Sequence, residues 1–365
     1  MKFAVTKEAL LEGLQRILNV VSSRATLPVL NNTLIETTET GLRLTTTDLD
    51  VAIRCDVPAQ IEKPGATTLQ ARRFAAIVRE LVSSEIVCET DSKHITALTC
   101  GTSVFKLFGL PKEDFPKFPD LPDAKIYTLK QAELKDGLRK TAYAISLDET
   151  RYVLNGILFS FTENKLTLVA TDGRRLALFD SDIEFPQSQE RNFIVPTKAV
   201  TELQRILTEE GDVQIVAGAN QIVFRIPGAE LAAKLVEGNY PNYRQVVPGE
   251  AKERITLERE PLLEYVRRVF TLNSDANNPL RLSFGKNRLD ISMTIAEVGE
   301  ASESMAINYR GREFSIAFNA QYLMDPLRNL LDPEIHLELI DEISPGVIKI
   351  NKPFLYVLMP MRVSV

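Results

Sequence analysis

The chain has 365 residues, of which 44% are hydrophobic and 25% are charged, and its formal net charge is −6. This average globular composition excludes disordered and fibrous proteins, and the length exceeds what a single core usually supports. No apolar run approaches the roughly 18–20 residues that cross a bilayer, and residues 1–8 lack the apolar core of a secretory signal. We therefore expect a cytoplasmic protein that contacts no membrane.

Few residues of this chain could bind a metal ion or a cofactor. Three widely spaced cysteines form no C-x-x-C pair, and both histidines, His94 and His336, lie in segments with a strand-like pattern. We therefore expect no disulfide framework, no zinc site, no Ser-His-Asp triad and no cofactor. The balance of 43 basic and 49 acidic residues excludes a protein that coats nucleic acid with its whole surface, but it allows positive charge concentrated in one place.

The predicted elements, taken in chain order, repeat three times. Each copy begins with an extended tripeptide and an amphipathic helix, whose apolar residues lie four positions apart on one face. These residues are Leu10 and Leu14, Leu134 and Leu138, and Leu262 and Val266. Pairs of β-patterned runs at 30–48, 154–172 and 280–293 predict hairpins with one buried face. A second helix begins near Gln70, Pro196 and Asn319, each time after a strand-like segment.

Proline-rich segments at 115–119 and 240–243 close the first two copies and mark boundaries. We predict an α+β fold of three tandem domains over 1–124, 125–250 and 251–365, each with two helices on an antiparallel sheet. Three equal units exclude a cofactor domain joined to a substrate domain. Units related by a constant rotation form either an open solenoid or a closed ring.

Positive charge concentrates on the six predicted helices. Their windows, 6–18, 71–81, 128–143, 197–207, 256–269 and 320–331, together carry +5, which leaves −11 for the rest of the chain. Lysines and arginines that merely cover solvated helix faces would explain this bias. Alternatively, two chains that close head to tail would arrange twelve helices around a lumen of roughly 20–28 Å, which accommodates a DNA duplex. Positive walls would then attract phosphates without reading bases.

Five stretches of the chain are typical of one family. They are 26–30 (Thr-Leu-Pro-Val-Leu), 151–156 (Arg-Tyr-Val-Leu-Asn-Gly), 170–177 (Ala-Thr-Asp-Gly-Arg-Arg-Leu-Ala), 240–244 (Tyr-Pro-Asn-Tyr-Arg) and 357–362 (Val-Leu-Met-Pro-Met-Arg). With them the chain resembles, over its whole length, the bacterial sliding clamps, the beta subunits of DNA polymerase III. The resemblance implies a DNA clamp fold that closes as a head-to-tail homodimeric ring around duplex DNA, with no active site. It also implies that the ring tethers the replicative DNA polymerase, is opened by a clamp loader, and recruits repair and translesion polymerases through short linear peptides.

The resemblance further implies a pocket for those peptides at the junction of the second and third domains. Its residues would be Leu154, Thr171, Gly173, Arg175, Leu176, Pro241, Val246, Asn319, Tyr322, Ile343, Val357, Leu358, Met359, Pro360, Met361 and Arg362. Leu176 and 357–358 would form an apolar floor, the two methionines would adapt to different peptides, and Arg175 would orient a polar or carboxylate group. Alternatively, 357–359 is simply a buried last strand.

The sequence departs from the family at three places. Arg174 stands where the best-known relatives have histidine, and Asn277 stands where some have an aromatic residue. Three additional residues, 363–365, follow Arg362 and could partly cover the pocket.

The resemblance also names candidates for DNA contact and for the ring joint. Arg24 and Tyr152 match family positions near the duplex, and Arg72, Arg73, Lys198 and Arg205 are candidates on helices. At the joint, an edge strand of the first domain would pair with one of the third domain of the other chain. Phe105 and Leu107 would face Leu272, and Arg73 and Lys106 would face Glu297, Glu300 and Glu303. Such pairing would cover an apolar edge that is otherwise prone to aggregation.

Two other functions are consistent with parts of the sequence. Asp48, Asp50, Asp172 and Glu36 suggest a metal-dependent nuclease. However, Asp48 and Asp172 occupy equivalent turn positions in two repeats, so they are not expected to converge on one pair of metal ions. The second alternative is a protein-interaction scaffold that binds no nucleic acid.

Overall fold

The computed structural model describes residues 1–22, 27–82, 85–273 and 278–362. The six predicted helices all lie within these ranges, and each begins and ends within three residues of its predicted window. They are α1 (Lys7–Ile17), α2 (Ala71–Glu80), α3 (Gln131–Thr141), α4 (Thr197–Ile206), α5 (Arg259–Phe270) and α6 (Ala320–Asn329).

The strands follow the repeat. In the first copy they are β1 (Lys2–Thr6), β2 (Asn32–Thr37), β3 (Gly41–Thr47), β4 (Val51–Pro58), β5 (Gln60–Lys63), β6 (Ala66–Gln70), β7 (Glu85–Thr90), β8 (Ile95–Cys100) and β9 (Ser103–Phe108). In the second copy they are β10 (Lys125–Lys130), β11 (Gly156–Thr162), β12 (Lys165–Thr171), β13 (Arg175–Asp182), β14 (Arg191–Pro196), β15 (Asp212–Ala217), β16 (Gln221–Ile226) and β17 (Ala229–Lys234). In the third copy they are β18 (Glu253–Glu258), β19 (Pro279–Gly285), β20 (Arg288–Ile295), β21 (Gly299–Ala306), β22 (Phe314–Asn319), β23 (Glu334–Leu339), β24 (Gly346–Lys349) and β25 (Phe354–Leu358).

The described residues divide into two compact units that do not coincide with the three repeats. One unit comprises Met1–Lys135 with Lys198–Leu235, and the other comprises Asp136–Thr197 with Val236–Val365. The division arises because each unit contains an eight-stranded sheet that joins strands of two successive repeats.

The first unit contains a five-stranded sheet in the order β5-β1-β7-β8-β9 and an eight-stranded sheet in the order β10-β15-β16-β17-β4-β3-β2-β6. The second repeat meets the first where β17 pairs with β4, with Leu231 opposite Ile53. Leu231 and Ile53 are fully buried, so this junction belongs to the core of the unit.

The second unit contains an eight-stranded sheet in the order β14-β11-β12-β13-β25-β24-β23-β18 and a four-stranded sheet in the order β21-β20-β19-β22. Here the second repeat meets the third where β13 pairs with β25. The ladders in both units are antiparallel, so the α+β class and the predicted hairpins β2–β3, β11–β12 and β19–β20 are confirmed.

Close helix–sheet packing explains one glycine in each of the first two repeats. A Cβ at Gly13 of α1 would lie 2.3 Å from Val57 Cγ2, and a Cβ at Gly137 of α3 would lie 2.7 Å from Leu168 Cδ1. Both distances are far below van der Waals contact, so only glycine lets these helices approach their sheets so closely.

The two histidines differ in setting. His336 lies in β23, as predicted, but His94 lies in the turn between β7 and β8 with φ of +59°. The strand expectation for His94 is therefore wrong. The turn forms because Asp91 Oδ1 accepts hydrogen bonds from the Lys93 and Ile95 amides, at 2.8 and 2.9 Å.

Candidate functional site

The 171–175 turn between β12 and β13 is built by its own polar side chains. Asp172 Oδ1 accepts hydrogen bonds from the Arg174 and Arg175 amides, at 2.9 and 3.1 Å. The Thr171 hydroxyl donates to the Arg175 carbonyl at 2.6 Å and accepts from the Gly173 amide at 3.1 Å. Gly173 has φ of +85°, a left-handed conformation that favours glycine. The motif Thr-Asp-Gly-x-Arg thus folds into a rigid corner.

Asp48 is the structural counterpart of Asp172, as the repeat predicts. Its Oδ1 accepts hydrogen bonds from the Asp50 and Val51 amides, at 3.0 and 2.7 Å. Both aspartates are therefore turn residues, which removes the main support for a nuclease site. Among the residues that the structure describes, no three histidine, cysteine or acidic side chains converge where they could hold a metal ion.

Arg175 lies at the centre of a nearly buried polar network and is 10% exposed. Its Nε donates to Asp172 Oδ2 at 3.0 Å, and Nη1 donates to Asp325 Oδ2 of α6 at 2.5 Å. Its Nη2 donates to the Tyr143 carbonyl at 2.5 Å, and the guanidinium stacks 4.2 Å above the Tyr322 ring. Three donors of Arg175 therefore already hold the turn against α6, and its role in orienting a polar or carboxylate group of a peptide stays a prediction.

Two tyrosines complete this network. The Tyr356 hydroxyl of β25 donates to the Tyr322 carbonyl at 2.8 Å, and its ring lies 5.7 Å from that of Tyr143. Burial raises the pKa of both phenols above the ordinary value, so both stay neutral around pH 7. Tyr143, Asp325 and Tyr356 were not predicted, because no local pattern connects residues so far apart in the chain.

The residues of the predicted apolar floor belong to the core of the second unit. Leu176 of β13 lies opposite Val357 of β25, and each is 2% exposed. Both pack in one cluster with Leu158, Ile194 and Tyr243, among others. The burial of 357–358 in β25 agrees with the alternative interpretation, a buried last strand, and their role as a pocket floor stays a prediction. Of the remaining predicted residues, Leu154 is buried, and Asn319 caps α6 by accepting a hydrogen bond from the Tyr322 amide at 3.1 Å.

Exposed apolar side chains in the predicted pocket come from Val246, Ile343 and Met359, at 50, 83 and 44% exposure. Pro241 and Gly173 are also exposed.

The chain leaves β25 through Met359–Arg362, which bridges the 171–175 turn and β22. The Met359 amide donates to the Arg174 carbonyl at 3.0 Å, and the Met361 amide donates to the Ala317 carbonyl of β22 at 2.7 Å. Beside this segment lies a cleft of about 750 Å³, lined by Ile343 and Met359–Arg362 together with residues that the sequence did not identify. These residues are Arg281, Ser315, Ile316, Ala317 and Glu342.

The residues predicted for a ring joint lie on two edge strands. In the first unit, β9 is the edge of its sheet, with Phe105 exposed and Leu107 half-buried. Val104 and Phe108 on the same strand were not predicted, although Phe108 is 79% exposed.

In the second unit, β21 is the edge of its sheet, and Leu272 is half-buried. Glu297 and Glu300 are exposed. Glu303 instead accepts a hydrogen bond from Arg268 Nε at 2.7 Å, and this hydrogen bond lowers the pKa of its carboxyl. Glu303 therefore has a basic partner within its own chain, and its place opposite Arg73 and Lys106 at a ring joint stays a prediction.

Most of the predicted DNA-contacting cations on helices are held by this chain itself. Lys198 forms an ion pair with Asp48, and Arg205 forms one with Glu202. Arg72 donates to the Val21 carbonyl at 2.8 Å. The positive charge counted along the helices is therefore partly neutralised, which a sum over sequence windows does not reveal.

Two predicted DNA-contacting residues are accessible. Arg73 is exposed and forms no ion pair with a described residue, and Tyr152 is 59% exposed. Three predictions fall outside the described residues: the DNA contact at Arg24, the departure at Asn277 and the tail 363–365. Within the described ranges, no helix has the length and apolarity needed to span a membrane.

Comparisons with known proteins agree along the whole chain. Family models of the DNA polymerase III beta subunit match residues 1–119 (N-terminal domain), 128–242 (central domain) and 244–362 (C-terminal domain). The chain is 34% identical over 362 residues to the beta sliding clamp of Chlamydia muridarum, with 99% of each chain covered. It is 30% identical over 376 residues to that of Bacillus subtilis, with 99% of this chain and 100% of the relative covered.

Solved structures agree as well. The crystal structure of the Bacillus subtilis sliding clamp matches with a TM-score of 0.95 at 29% identity, and that of a Pseudomonas aeruginosa sliding clamp bound to griselimycin matches with 0.95 at 33% identity. Each match covers 100% of both chains. The fold is that of a three-domain DNA polymerase clamp. More particularly, the chain belongs to the DNA polymerase III beta-subunit family, the beta sliding clamps, which are processivity subunits rather than catalytic ones.

Proposed function

We propose that two copies of this chain close head to tail into a ring around duplex DNA, with domains over 1–124, 125–250 and 251–365. The proposal is supported by the two edge strands, β9 and β21, each paired with one neighbour among the described residues. Lys106 on β9 and Glu300 on β21 are exposed and opposite in charge, as are Arg73 and Glu297. Pairing β9 of one chain with β21 of another would satisfy both backbone edges and bury the apolar side chains of β9.

The ring would work in the cytoplasm by topology rather than by affinity. Because Lys198 and Arg205 already have carboxylate partners, a phosphate must compete for each of them. Weak, base-independent contacts allow sliding, while the closed ring prevents escape. A polymerase bound to the ring then rebinds its primer at a high effective concentration after each release.

Partners would bind through short linear peptides at the surface formed by Val246, Ile343 and Met359. Exposed apolar side chains above a rigid floor suit an apolar anchor residue, and methionine adapts to different anchors. The griselimycin-bound relative supports a ligand site on clamps of this family. The replicative polymerase, the clamp loader, and repair and translesion polymerases would share this surface, so they would exclude one another.

The topological claim can be tested on circular DNA. The chain is loaded onto nicked circles with a clamp loader, and the retained protein is measured by gel filtration before and after the circle is cut once. Retention on the circle with loss after linearisation is expected. Equal retention on both forms would contradict encirclement, and no retention on either would favour the scaffold that binds no nucleic acid.

A further inference from the structure

The two junctions between successive repeats share one strand register. In the first unit, Leu231 of β17 lies opposite Ile53 of β4. In the second unit, Tyr356 of β25 lies opposite Ala177 of β13. Each of these four residues is the third of its strand, and all four are fully buried. Wherever two repeats meet within a chain, the third residue of one strand therefore pairs with the third residue of the other.

The strands β9 and β21 are the counterparts of these junction strands. β9 is the last strand of its repeat, as β17 and β25 are of theirs, and β21 follows the third hairpin as β4 and β13 follow the first two. The turns before β4, β13 and β21 are each three residues long. Their middle residues all have positive φ, namely +80° at Leu49, +85° at Gly173 and +63° at Glu297. The register of the internal junctions can therefore be applied to β9 and β21.

Charge supports this register independently. Pairing of the third residues places Phe105 of β9 opposite Ala301 of β21. Lys106 then lies directly opposite Glu300, and both side chains are exposed and opposite in charge. A shift by two residues would instead place Lys106 opposite Ser302 or Val298, neither of which is charged.

Each internal junction ends on the same backbone hydrogen bond. The sixth residue, counted from the start of the last strand, donates its amide to the residue just before the facing strand. In the first junction the Lys234 amide donates to the Asp50 carbonyl at 2.9 Å, and in the second the Met359 amide donates to the Arg174 carbonyl at 3.0 Å. The side chains at this position also meet in the first junction, where Lys234 Nζ lies 3.0 Å from Asp50 Oδ1.

The counterparts of this pair in β9 and before β21 are Phe108 and Val298. Both are apolar, and they are 79 and 58% exposed in the single chain. Half-buried Ile95 of β8 lies opposite Phe108 on its other side, so the three residues would form one apolar row across the joined strands. An apolar pair therefore stands where the first junction has an exposed ion pair.

We infer that Phe108 of one copy packs against Val298 of a second copy and that this apolar contact closes the end of each ring joint. Side chains alternate along β9, so Phe108 lies on the face opposite Phe105, away from the core. Salt screens an exposed ion pair but not an apolar contact, so this contact persists at high ionic strength. The inference rests on the proposed ring, whereas the register and the choice of residues come from the internal junctions.

Sedimentation equilibrium of the full chain measures the contribution of this contact. Phe108→Ala should raise the dissociation constant of the dimer about tenfold for each joint, and so about a hundredfold for a ring with two joints, because part of a large aromatic side chain is no longer buried. The matched control is Leu331→Ala, which shortens a similarly exposed apolar side chain after α6 and should leave the dissociation constant unchanged.

An ion pair transplanted from the first junction tests whether the two side chains meet. Phe108→Lys and Val298→Asp should each weaken the dimer. The double variant reproduces Lys234 and Asp50, so in about 0.1 M NaCl it should dimerise about tenfold more tightly than the sum of the two single losses predicts. In about 1 M NaCl this difference should vanish, because salt screens the new pair.

Two results in a dimeric parent chain would overturn the inference and leave the ring standing. One is an unchanged dissociation constant in Phe108→Ala. The other is strict additivity of Phe108→Lys and Val298→Asp in about 0.1 M NaCl, since side chains that do not meet show no coupling. A parent chain that remains monomeric would overturn both this inference and the proposed ring, so the two failures are distinguishable.

Discussion

Replacing Asp325 with asparagine should loosen the 171–175 turn without unfolding the protein. The Asp325 carboxylate lies 2.5 Å from Arg175 Nη1, and their side chains are 15 and 10% exposed. Removal of one partner from a buried ion pair costs about 3–5 kcal/mol. Because Asp172 and the Tyr143 carbonyl still bind the guanidinium, we expect a cost below this range, about 2–3 kcal/mol.

A local readout is needed, because a chain of two compact units is not expected to unfold in one step. Hydrogen exchange of the Arg174 and Arg175 amides, both bound to Asp172, reports the opening of the turn directly. Since each 1.4 kcal/mol is a factor of ten, exchange should accelerate by roughly 30- to 150-fold.

The matched control is Asp290→Asn, which breaks the exposed pair between Asp290 and Arg288 on β20. Exposed pairs contribute little, so exchange in the 171–175 turn should not change. Equal exchange in Asp325→Asn and the parent chain would refute the reasoning that Arg175 holds the turn against α6. Equal acceleration in both variants would show a general loss of stability instead.

Three further outcomes are expected. Met359→Ala should weaken binding of a polymerase-derived peptide, measured by fluorescence anisotropy, without lowering the melting temperature. Leu176→Ala should instead cost about 2–5 kcal/mol of stability, because Leu176 is buried. Equal melting temperatures of the two variants would contradict this. Phe105→Arg should shift the solution mass from twice 40.9 kDa to 40.9 kDa by sedimentation, and an unchanged dimer would exclude β9 from the joint. Burial raises the thiol pKa of Cys55 and Cys88 to about 12. Above pH 9 the thiols of the unfolded chain therefore lose protons that the thiols of the native chain keep. The free energy of unfolding should then fall by about 1.4 kcal/mol per pH unit for each thiol. Melting curves at pH 9, 10 and 11 would check this. The control is a Cys55→Ala, Cys88→Ala double variant, in which stability should fall less steeply, because only other groups such as the buried phenols of Tyr143 and Tyr356 still differ between the folded and unfolded states.

Periodic and local features were predictable from the sequence. Helix bounds followed from apolar spacing, and the hairpins followed from alternation. The equivalence of Asp48 and Asp172 followed from their offset in the repeat. In each case a few neighbouring residues determine the structure, since a helix face, a hairpin or an Asx turn is closed by contacts a few positions apart.

Long-range pairing was not predictable in the same way. Asp325 meets Arg175 across 150 positions, and nothing around Asp325 distinguishes it from a solvated residue of an amphipathic helix. The position of Arg281 required the β19–β22 register, which places it opposite Ala317 and equivalent to Leu34 and Leu158. Aligning repeats by residue type alone hides this position, because an arginine stands where a leucine is expected.

The sum of charges over the helix windows did not predict how much positive charge the helices leave unpaired. Lys130, Lys135 and Lys198 add three positive charges to helix windows, yet each lies within salt-bridge distance of an acidic residue outside its window. At distances beyond the Debye length of about 8–10 Å, the electrostatic field of such an ion pair is weak. The long-range attraction of the helices for phosphate is therefore smaller than the net charge of +5 in the six helix windows implies. A protein that is to remain on DNA while moving along it needs contacts that break quickly. In the proposed ring, cations already shared with carboxylates would meet that need, and retention would depend on closure of the ring.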